Sequence, residues 1–337
     1  MTRRAFTLIE MVVAVAIMAV VVVMAGTIFR VGIKAYRLAM AHAEIMRTYR
    51  TVVDQLNMDF RGLTKEGEIV AIWAAEADGQ RRMDRIMFHA TGDFCTYHNV
   101  PPVRGNTARI SYMLSRYDNQ SVLARTQHIL VDQPGAFLDV NDLFDSTQDL
   151  SDEELFEWHN RHEYDNVTLK SWIDIPFEKK MNFISMIADV NGYGSTVNAP
   201  NRGAHIDLSA TSHADRGIHM LVAQRVDYFA VQGWLPNEQR WYPIADPDGD
   251  GILEDSDFRL TTNGTEIDPK DTLGMIYPKE SWRSAPSAPD DVQTYTADQF
   301  NDIKGLGRAL KFTFKVYDSF GLIENGRTFT HMVFLDH

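Results

Sequence analysis

The sequence is poor in cysteine, and its N-terminal hundred residues contain no proline. Cys95 is the single cysteine among 337 residues, which excludes a disulfide within the chain. We expect it to be a buried small hydrophobe rather than a reactive thiol. The first proline is Pro101, so no residue before it forces a break in a helix. A stable fold must therefore rest on hydrophobic packing, for which the chain is long enough.

The chain also lacks an excess of positive charge. It has 33 Lys and Arg residues against 46 Asp and Glu residues, a net charge of -13 at pH 7. A nucleic-acid-binding surface requires clustered positive charge. The composition therefore argues against nucleic acid as a partner. The acidic excess favours solubility and is compatible with binding of divalent cations.

Charge is nearly absent between Phe6 and Phe29, where Glu10 is the only charged residue. A helix of this length, rising 1.5 Å per residue, can cross the roughly 30 Å hydrocarbon core of a bilayer. A carboxylate in such a segment costs roughly 2.5–3.5 kcal/mol near the centre and less near an end, so its presence indicates a function. The sequence predicts residues 6–29 as one membrane span with a functional Glu10.

The residues around Glu10 form a motif. Two arginines and Ala5 lead into Phe6-Thr7-Leu8-Ile9-Glu10, which the apolar run follows. This arrangement resembles the class III signal of type IV pilins and type II secretion pseudopilins. The resemblance implies that residues 1–5 are a leader peptide, that prepilin peptidase cuts between Ala5 and Phe6, and that the new amine of Phe6 is methylated. The family usually has Gly where Ala5 stands.

The position of Glu10 suits this interpretation on physical grounds. A free amine at Phe6 would lie one helical turn before Glu10, so both charges could share one helix face. A carboxylate in a membrane requires a partner, and the amine of a neighbouring subunit is suitable. The resemblance implies that this pairing drives subunit addition to a filament. A secretory signal peptide has a shorter apolar core of about 7–15 residues, and a plain anchor does not account for Glu10.

The helical pattern continues beyond the apolar run. Apolar residues recur at spacings of three, four and seven, as in an amphipathic helix: Leu38, Ile45, Tyr49, Val52, Leu56 and Phe60. A helix from about Phe6 to Phe60 would be roughly 80 Å long, and Gly62 is a plausible end signal. We expect residues 30–61 to be its amphipathic part, packed on a head formed by residues 62–337. This is the ladle shape that the resemblance implies.

The head is predicted to be mainly antiparallel sheet, which gives an α+β fold. Alternating apolar residues favour strands at Ile69–Trp73, Arg85–His89, Ile110–Leu114, Val122–Arg125, Ile218–Ala223, Val226–Trp234, Ala309–Tyr317 and Phe329–Leu335. Asn325-Gly326 is a hairpin turn signal before the last strand. Two stretches read as insertions, about 134–216 and about 246–304, the second as a surface loop. A capping box at Ser151–Glu154 predicts a short helix to about His162.

The order of these strands resembles that of J-type minor pseudopilins of type II secretion. The segments concerned are Arg109–Leu114, Val122–Arg125, Val222–Phe229, Trp234, Trp241, Arg308–Val316 and Thr328–Leu335. The resemblance implies a non-enzymatic component of the pseudopilus tip, with a single span in the bacterial inner membrane and its head in the periplasm. Partners would be other minor pseudopilins, the major pseudopilin, the inner-membrane assembly platform and prepilin peptidase. The alternative is a minor pilin of a type IV pilus with an enlarged binding head.

An acidic stretch in the second insertion has the spacing of a calcium-binding loop. Residues 246–257 fit the D-x-D-x-D-G pattern, in which alternate carboxylates converge on one cation and Gly251 permits the sharp turn. By that template the ligands are the side chains of Asp246, Asp248, Asp250, Glu254 and Asp257 and the carbonyl of Ile252. We expect structural calcium here, with a solvated acidic turn as the alternative.

A second group of possible ligands is His159, His162 and Glu163. Their order matches neither H-E-x-x-H nor H-x-x-E-H, so the zinc-hydrolase geometry is not met. Polar residues near the end of a helix are the preferred interpretation. No nucleophile with a base partner stands out, and we predict that the protein is not an enzyme. An anchored periplasmic hydrolase that uses His159 or His162 is the third hypothesis.

Overall fold

The computed structural model describes residues 8–64, 69–72, 82–98, 101–117, 120–132, 158, 161–175, 206, 217–235, 239–242, 260–262, 265–267, 273–276 and 309–335. The helices are α1 (Leu8–Arg61), α2 (Leu169–Asp174) and a 3-10 turn (Ile218–Met220). The strands are β1 (Ile69–Ile72), β2 (Arg85–Cys95), β3 (Arg104–Tyr117), β4 (Gln120–Leu130), β5 (Tyr164–Asp165), β6 (Leu221–Gln224), β7 (Val226–Leu235), β8 (Arg240–Tyr242), β9 (Leu260–Thr262), β10 (Thr265–Ile267), β11 (Leu273–Ile276), β12 (Ala309–Val316) and β13 (Arg327–Phe334).

Helix α1 is continuous over 54 residues. No proline interrupts it, and its two glycines cost only about 1 kcal/mol each relative to alanine. Its residues from Leu8 to Met40 are exposed, whereas a stripe at helical spacing is buried beyond them: Ala41, Ile45, Val52, Leu56, Asp59 and Phe60. The predicted long helix is confirmed. Its buried stripe begins at Ala41, and Leu38, which was predicted to belong to that stripe, is exposed.

The helix ends because Gly62 brings the chain against β2. The Thr91 amide donates to the Gly62 carbonyl at 2.6 Å, and the Thr64 amide donates to the His89 carbonyl at 2.9 Å. A Cβ atom at position 62 would lie 2.1 Å from the Thr91 oxygen. The predicted end signal is confirmed, and the close backbone approach explains why the residue is glycine.

The larger sheet has the strand order β11-β1-β2-β3-β4-β5, and β6 also pairs with β4. Its long strands β2, β3 and β4 run antiparallel, while the two-residue β5 is parallel to β4. The predicted hairpin is β3–β4, in which Leu114 lies opposite Leu123. Cys95, at the end of β2, is half-buried rather than buried.

The smaller sheet has the strand order β13-β12-β7-β8 and is antiparallel. Leu310, Phe312, Phe314 and Val316 are fully buried and alternate along β12 with half-buried polar residues, as the period-two pattern predicts. The turn before β13 places Gly326 at φ 58°. Glycine adopts this left-handed conformation without steric cost, so the Asn-Gly signal is confirmed.

The core lies where the buried stripe of α1 meets residues from both sheets. Phe60 stacks on Phe88 of β2 with ring centroids 4.2 Å apart. Tyr49 stacks on Phe329 of β13 at 4.5 Å. Burying one such side chain stabilises the fold by about 1.5–3 kcal/mol, and an aromatic pair adds about 0.5–1.5 kcal/mol. The helix is thereby fixed to both sheets.

The two stretches read as insertions contain elements that the sequence did not indicate. In the first, β5 and α2 lie on the larger sheet, with Trp158 and Trp172 buried. In the second, β9 pairs with β10, and β11 extends the larger sheet beside β1. A surface loop is therefore the wrong description of residues 273–276. The predicted strand at 218–223 begins as a 3-10 turn, because Gly217 at φ 60° reverses the chain there.

Candidate functional sites

The first candidate site is the N-terminal half of α1. Glu10 lies in the first turn of this helix and is exposed. Large apolar side chains follow it with more than half of their surface exposed, among them Val15, Met18 and Val22. Within the described residues, α1 is the one helix that is long and apolar enough to cross a membrane. Burying so much apolar surface requires lipid or other helices.

A charged cluster fixes the other end of α1. Arg125 of β4 reaches Asp59 through two hydrogen bonds, Nε to Oδ2 at 2.6 Å and Nη2 to Oδ1 at 2.8 Å. The Tyr112 hydroxyl donates to Asp59 Oδ2 as well. Burial, together with the Asp59 carboxylate, raises the pKa of Tyr112 well above its usual value. The phenol therefore stays protonated and remains a donor.

A second polar contact fixes α1 about four turns earlier. The Glu44 carboxylate accepts hydrogen bonds from the Ser319 hydroxyl at 2.8 Å and the Ser319 amide at 3.2 Å. Arg225 lies 3.5 Å from the same carboxylate. Arg225 adopts φ 58° between β6 and β7, which directs the chain from one sheet into the other. The helix is thus held to the β12–β13 hairpin and to the junction of the sheets.

The second candidate site is a group of three side chains on the head: His98, Glu163 and His219. His98 Nε2 lies 2.9 Å from His219 Nδ1, and His219 Nε2 lies 3.8 Å from Glu163 Oε1. One donor atom from each residue lies within 4.8 Å of the others. Two imidazoles and one carboxylate are ligand types that zinc and other first-row transition metals take in proteins.

The backbone holds each of the three residues on the larger sheet. His98 follows β2, where the Thr96 amide donates to the Val103 carbonyl at 3.0 Å and closes the β2–β3 connection. Glu163 precedes β5, and its carbonyl accepts from the Ile129 amide at 2.8 Å. His219 lies in the 3-10 turn that leads into β6. Three segments far apart in the sequence therefore meet at one edge of the head.

The electrostatics of the group favour uncharged imidazole. Burial, together with the neighbouring His98 and His128, lowers the pKa of His219 to about 4. The side chain is therefore neutral at pH 7, which is the form that can bind a metal. Glu163 is 4% exposed and lies next to this neutral ring.

A buried polar layer beside the group holds Trp158 and residues 161–175 on the sheet. Arg109 of β3 contacts Asp165 at 2.9 Å and lies 4.3 Å from the ring centre of Trp172. The Trp158 indole donates to Asp165 at 2.9 Å. Both side chains of the ion pair are fully buried, so removal of one partner would leave an uncompensated charge. This layer places Glu163 beside His98.

The structure divides the predicted His-Glu group. Glu163 joins His98 and His219, whereas His162 does not belong to that group and is half-buried. His159 lies outside the described residues. The sequence interpretation missed His98 and His219 because neither has another possible ligand at a familiar spacing. Their proximity depends on the pairing of β4 with β5 and β6.

The other predicted site residues lie outside the described residues. They are Ala5 and Phe6 of the cleavage site and the calcium-loop residues Asp246, Asp248, Asp250, Ile252, Glu254 and Asp257. Cleavage, methylation and calcium binding stay predictions.

Comparison with known proteins gives one match. Residues 1–26 match the family described as the prokaryotic N-terminal methylation motif. No curated protein and no solved structure matches the chain. The prepilin-type signal predicted from Phe6 to Glu10 is thus found, and prepilin signals imply processing by prepilin peptidase and assembly with other pilins. The chain carries a type IV pilin-like signal on a helix that continues, without a break, into a β-sheet head.

Proposed function

We propose that this chain is a minor pseudopilin of a type II secretion system, of the J type. It is a structural component of the tip of the periplasmic pseudopilus, required for assembly and protein export. A single span anchors it in the inner membrane, and its head lies in the periplasm. The observation that carries this proposal is the continuous helix α1, which joins a prepilin signal to a packed head.

The surface of α1 supports assembly through the helix. Residues 8–40 are exposed in the single chain, although most of them are apolar. Lipid can cover this surface before assembly, and the equivalent helices of neighbouring subunits can cover it afterwards. Because lipid is as apolar as the side chains, close packing and polar pairing must favour the assembled state. Glu10 supplies the charge for such pairing with the amine of the next subunit.

The attachment of α1 to the head supports a mechanical role. The Asp59–Arg125 and Glu44–Ser319 contacts hold the helix at two positions about four turns apart. A helix fixed at two points along its axis cannot pivot freely on the sheet. Displacement of the helix in the filament would therefore move the head with it.

Deletion of the gene in its native host tests the proposal. We expect exported proteins to accumulate in the periplasm and to return to the medium when the intact gene is supplied. The matched control is a gene copy that encodes Asp54→Asn, a change on the exposed face of α1, which should restore export. Normal export together with loss of surface pili would contradict the proposal and favour the minor pilin of a type IV pilus.

A further inference from the structure

We propose that His98, Glu163 and His219 form a zinc site that fastens the stretch after β4 to the connection between β2 and β3. A water molecule would complete four-coordination, as in zinc sites with three protein ligands. The proposal is independent of the assembly role of α1. It gives the head a metal site separate from the acidic loop at residues 246–257.

The distances in the group suit a small cation. Zinc binds histidine nitrogen at about 2.0–2.1 Å and carboxylate oxygen at about 2.0–2.2 Å, so tetrahedral ligand atoms lie about 3.3 Å apart. The measured separations of 2.9 Å and 3.8 Å involve different nitrogens of His219, Nδ1 toward His98 and Nε2 toward Glu163, and one of these nitrogens would bind the ion. The three donor atoms lie within 4.8 Å of one another, so shifts of less than about 1 Å would bring them to bonding distance of one ion. Binding would replace the contact between the two imidazoles.

The carboxylate of Glu163 is already oriented by the backbone. Its Oε2 accepts hydrogen bonds from the Tyr97 and His98 amides, both at 2.8 Å, and its Oε1 accepts from the Tyr97 amide at 3.0 Å. Oε1 faces His219 and keeps a lone pair for a metal. Hydrogen bonds of this kind orient carboxylate ligands in metal sites and tune their affinity. His98 thus has two roles: its imidazole is a proposed ligand, and its backbone amide orients the Glu163 carboxylate.

The charge of the site also calls for a cation. Glu163 is buried, and no Lys or Arg within the described ranges forms an ion pair with it; His219 is its basic neighbour. A buried carboxylate is costly unless it is paired or bound to a metal. The imidazole nitrogens favour zinc, copper, nickel or iron over calcium or magnesium, which prefer oxygen. Zinc accepts two histidines and one carboxylate without redox chemistry.

Zinc binding to the full-length protein in detergent micelles tests the proposal. The protein is stripped with a chelator and titrated with Zn²⁺ against a chromophoric competitor. We expect one ion per chain, and an excess of Ca²⁺ or Mg²⁺ should not displace it. His98→Ala, His219→Ala and Glu163→Gln should each weaken binding by about 100-fold or more. Glu163→Gln keeps an oxygen for the backbone amides, so it isolates the loss of the charged ligand.

Matched controls distinguish this site from its neighbours. His162→Ala lies next to Glu163, His331→Ala removes a histidine that contacts Asn57 instead, and Asp248→Ala alters the acidic loop. All three should bind zinc as the unaltered protein does. Loss of binding in His162→Ala with normal binding in His219→Ala would overturn the assignment in favour of a different ligand set.

X-ray absorption on the zinc-loaded, unaltered protein needs no variant and therefore does not depend on variant folding. We expect scattering from two imidazole rings in a shell of nitrogen and oxygen ligands. A shell of oxygen alone, or no stoichiometric binding, would overturn the proposal.

Discussion

Asp59 of α1 and Arg125 of β4 form a two-point ion pair at the end of the long helix. The nitrogen–oxygen distances are 2.6 Å and 2.8 Å, and the Asp59 side chain is 5% exposed. In this geometry two N–H groups of the planar guanidinium each donate to one oxygen of the planar carboxylate. Because both hydrogen bonds join one face of the helix to β4, the pair restrains the axial position and the rotation of the helix on the larger sheet.

We expect Asp59→Asn to destabilise the head by about 3–5 kcal/mol, because it leaves the half-buried Arg125 without its countercharge. The measurement is urea unfolding of the full-length protein in micelles, followed by aromatic circular dichroism. Asp54→Asn, on the exposed face of the helix before Asp59, is the control and should change stability by less than about 0.5 kcal/mol. Equal effects of the two substitutions would show that the ion pair does not hold the helix.

Processing is tested at the predicted cleavage site. Mass spectrometry of the N-terminus, on protein from its native membrane, should find a chain that begins with N-methyl-Phe6. The expectation follows from Ala5-Phe6, Glu10 and the matched methylation motif. A mature chain that begins near Gly26 would instead indicate an ordinary signal peptide and would contradict the prediction that residues 6–29 anchor the mature protein in the membrane.

Glu10→Ala separates membrane insertion from assembly. Insertion should be normal or improved, because the substitution removes a charge from the apolar segment. Cross-linking to other pseudopilins and protein export should both fall. Thr27→Ala is the control: it changes another polar residue of the same segment, whose hydroxyl bonds to the Val23 carbonyl at 2.9 Å. Unchanged cross-linking in Glu10→Ala would show that pairing of Glu10 with the amine of a neighbouring subunit is not needed for assembly.

Asp318 predicts a pH dependence of the β12–β13 hairpin. Burial alone would raise the pKa of this carboxyl, but hydrogen bonds from the Leu322, Ile323 and Phe320 amides outweigh it and lower the pKa. A depressed pKa in the folded state adds stability above the unfolded value of about 3.9, and this stability is lost as the pH falls below it.

We therefore expect Asp318→Asn to lower stability by about 1–3 kcal/mol at neutral pH. The difference in the free energy of unfolding between the variant and the unaltered protein should shrink between about pH 5 and about pH 3. Over this range protonation removes the charge of Asp318 in the unaltered protein. Urea unfolding over this range measures it, with the exposed Asp174→Asn as control. A difference that stays constant down to pH 3 would mean that the carboxylate charge does not stabilise the turn.

Calcium binding at residues 246–257 stays a prediction, and it can be tested by thermal melting. If Asp246, Asp248, Asp250 and Asp257 converge on one ion, calcium at one hundred times its dissociation constant should stabilise the head by about 2.7 kcal/mol. Magnesium should do less, because it demands a tighter octahedral geometry. Asp248→Ala combined with Asp250→Ala should abolish the response. If calcium does not shift the melting temperature, residues 246–257 form a solvated acidic turn rather than a calcium site.

Local pattern predicted much of the fold. The absence of proline and the apolar stripe up to Phe60 placed α1 to within a few residues of its described bounds. Alternation placed β3, β4, β7, β12 and β13, because each is long enough for period two to stand out. The strands β5, β8, β9, β10 and β11 were missed, whereas the four-residue β1 was predicted. A strand of two to four residues shows little periodicity, so its pairing partner largely decides its structure.

The sequence by itself determined the prepilin signal, the single apolar span and the helix-on-sheet class, since each depends on residues that are neighbours in the chain. Only the tertiary structure decided which distant side chains meet. Asp59 contacts Arg125 because the length of α1 and the register of β3 with β4 bring the two residues together. His98, Glu163 and His219 meet because β4 pairs with both β5 and β6. Such contacts depend on strand pairing over long separations, and no local spacing encodes that pairing.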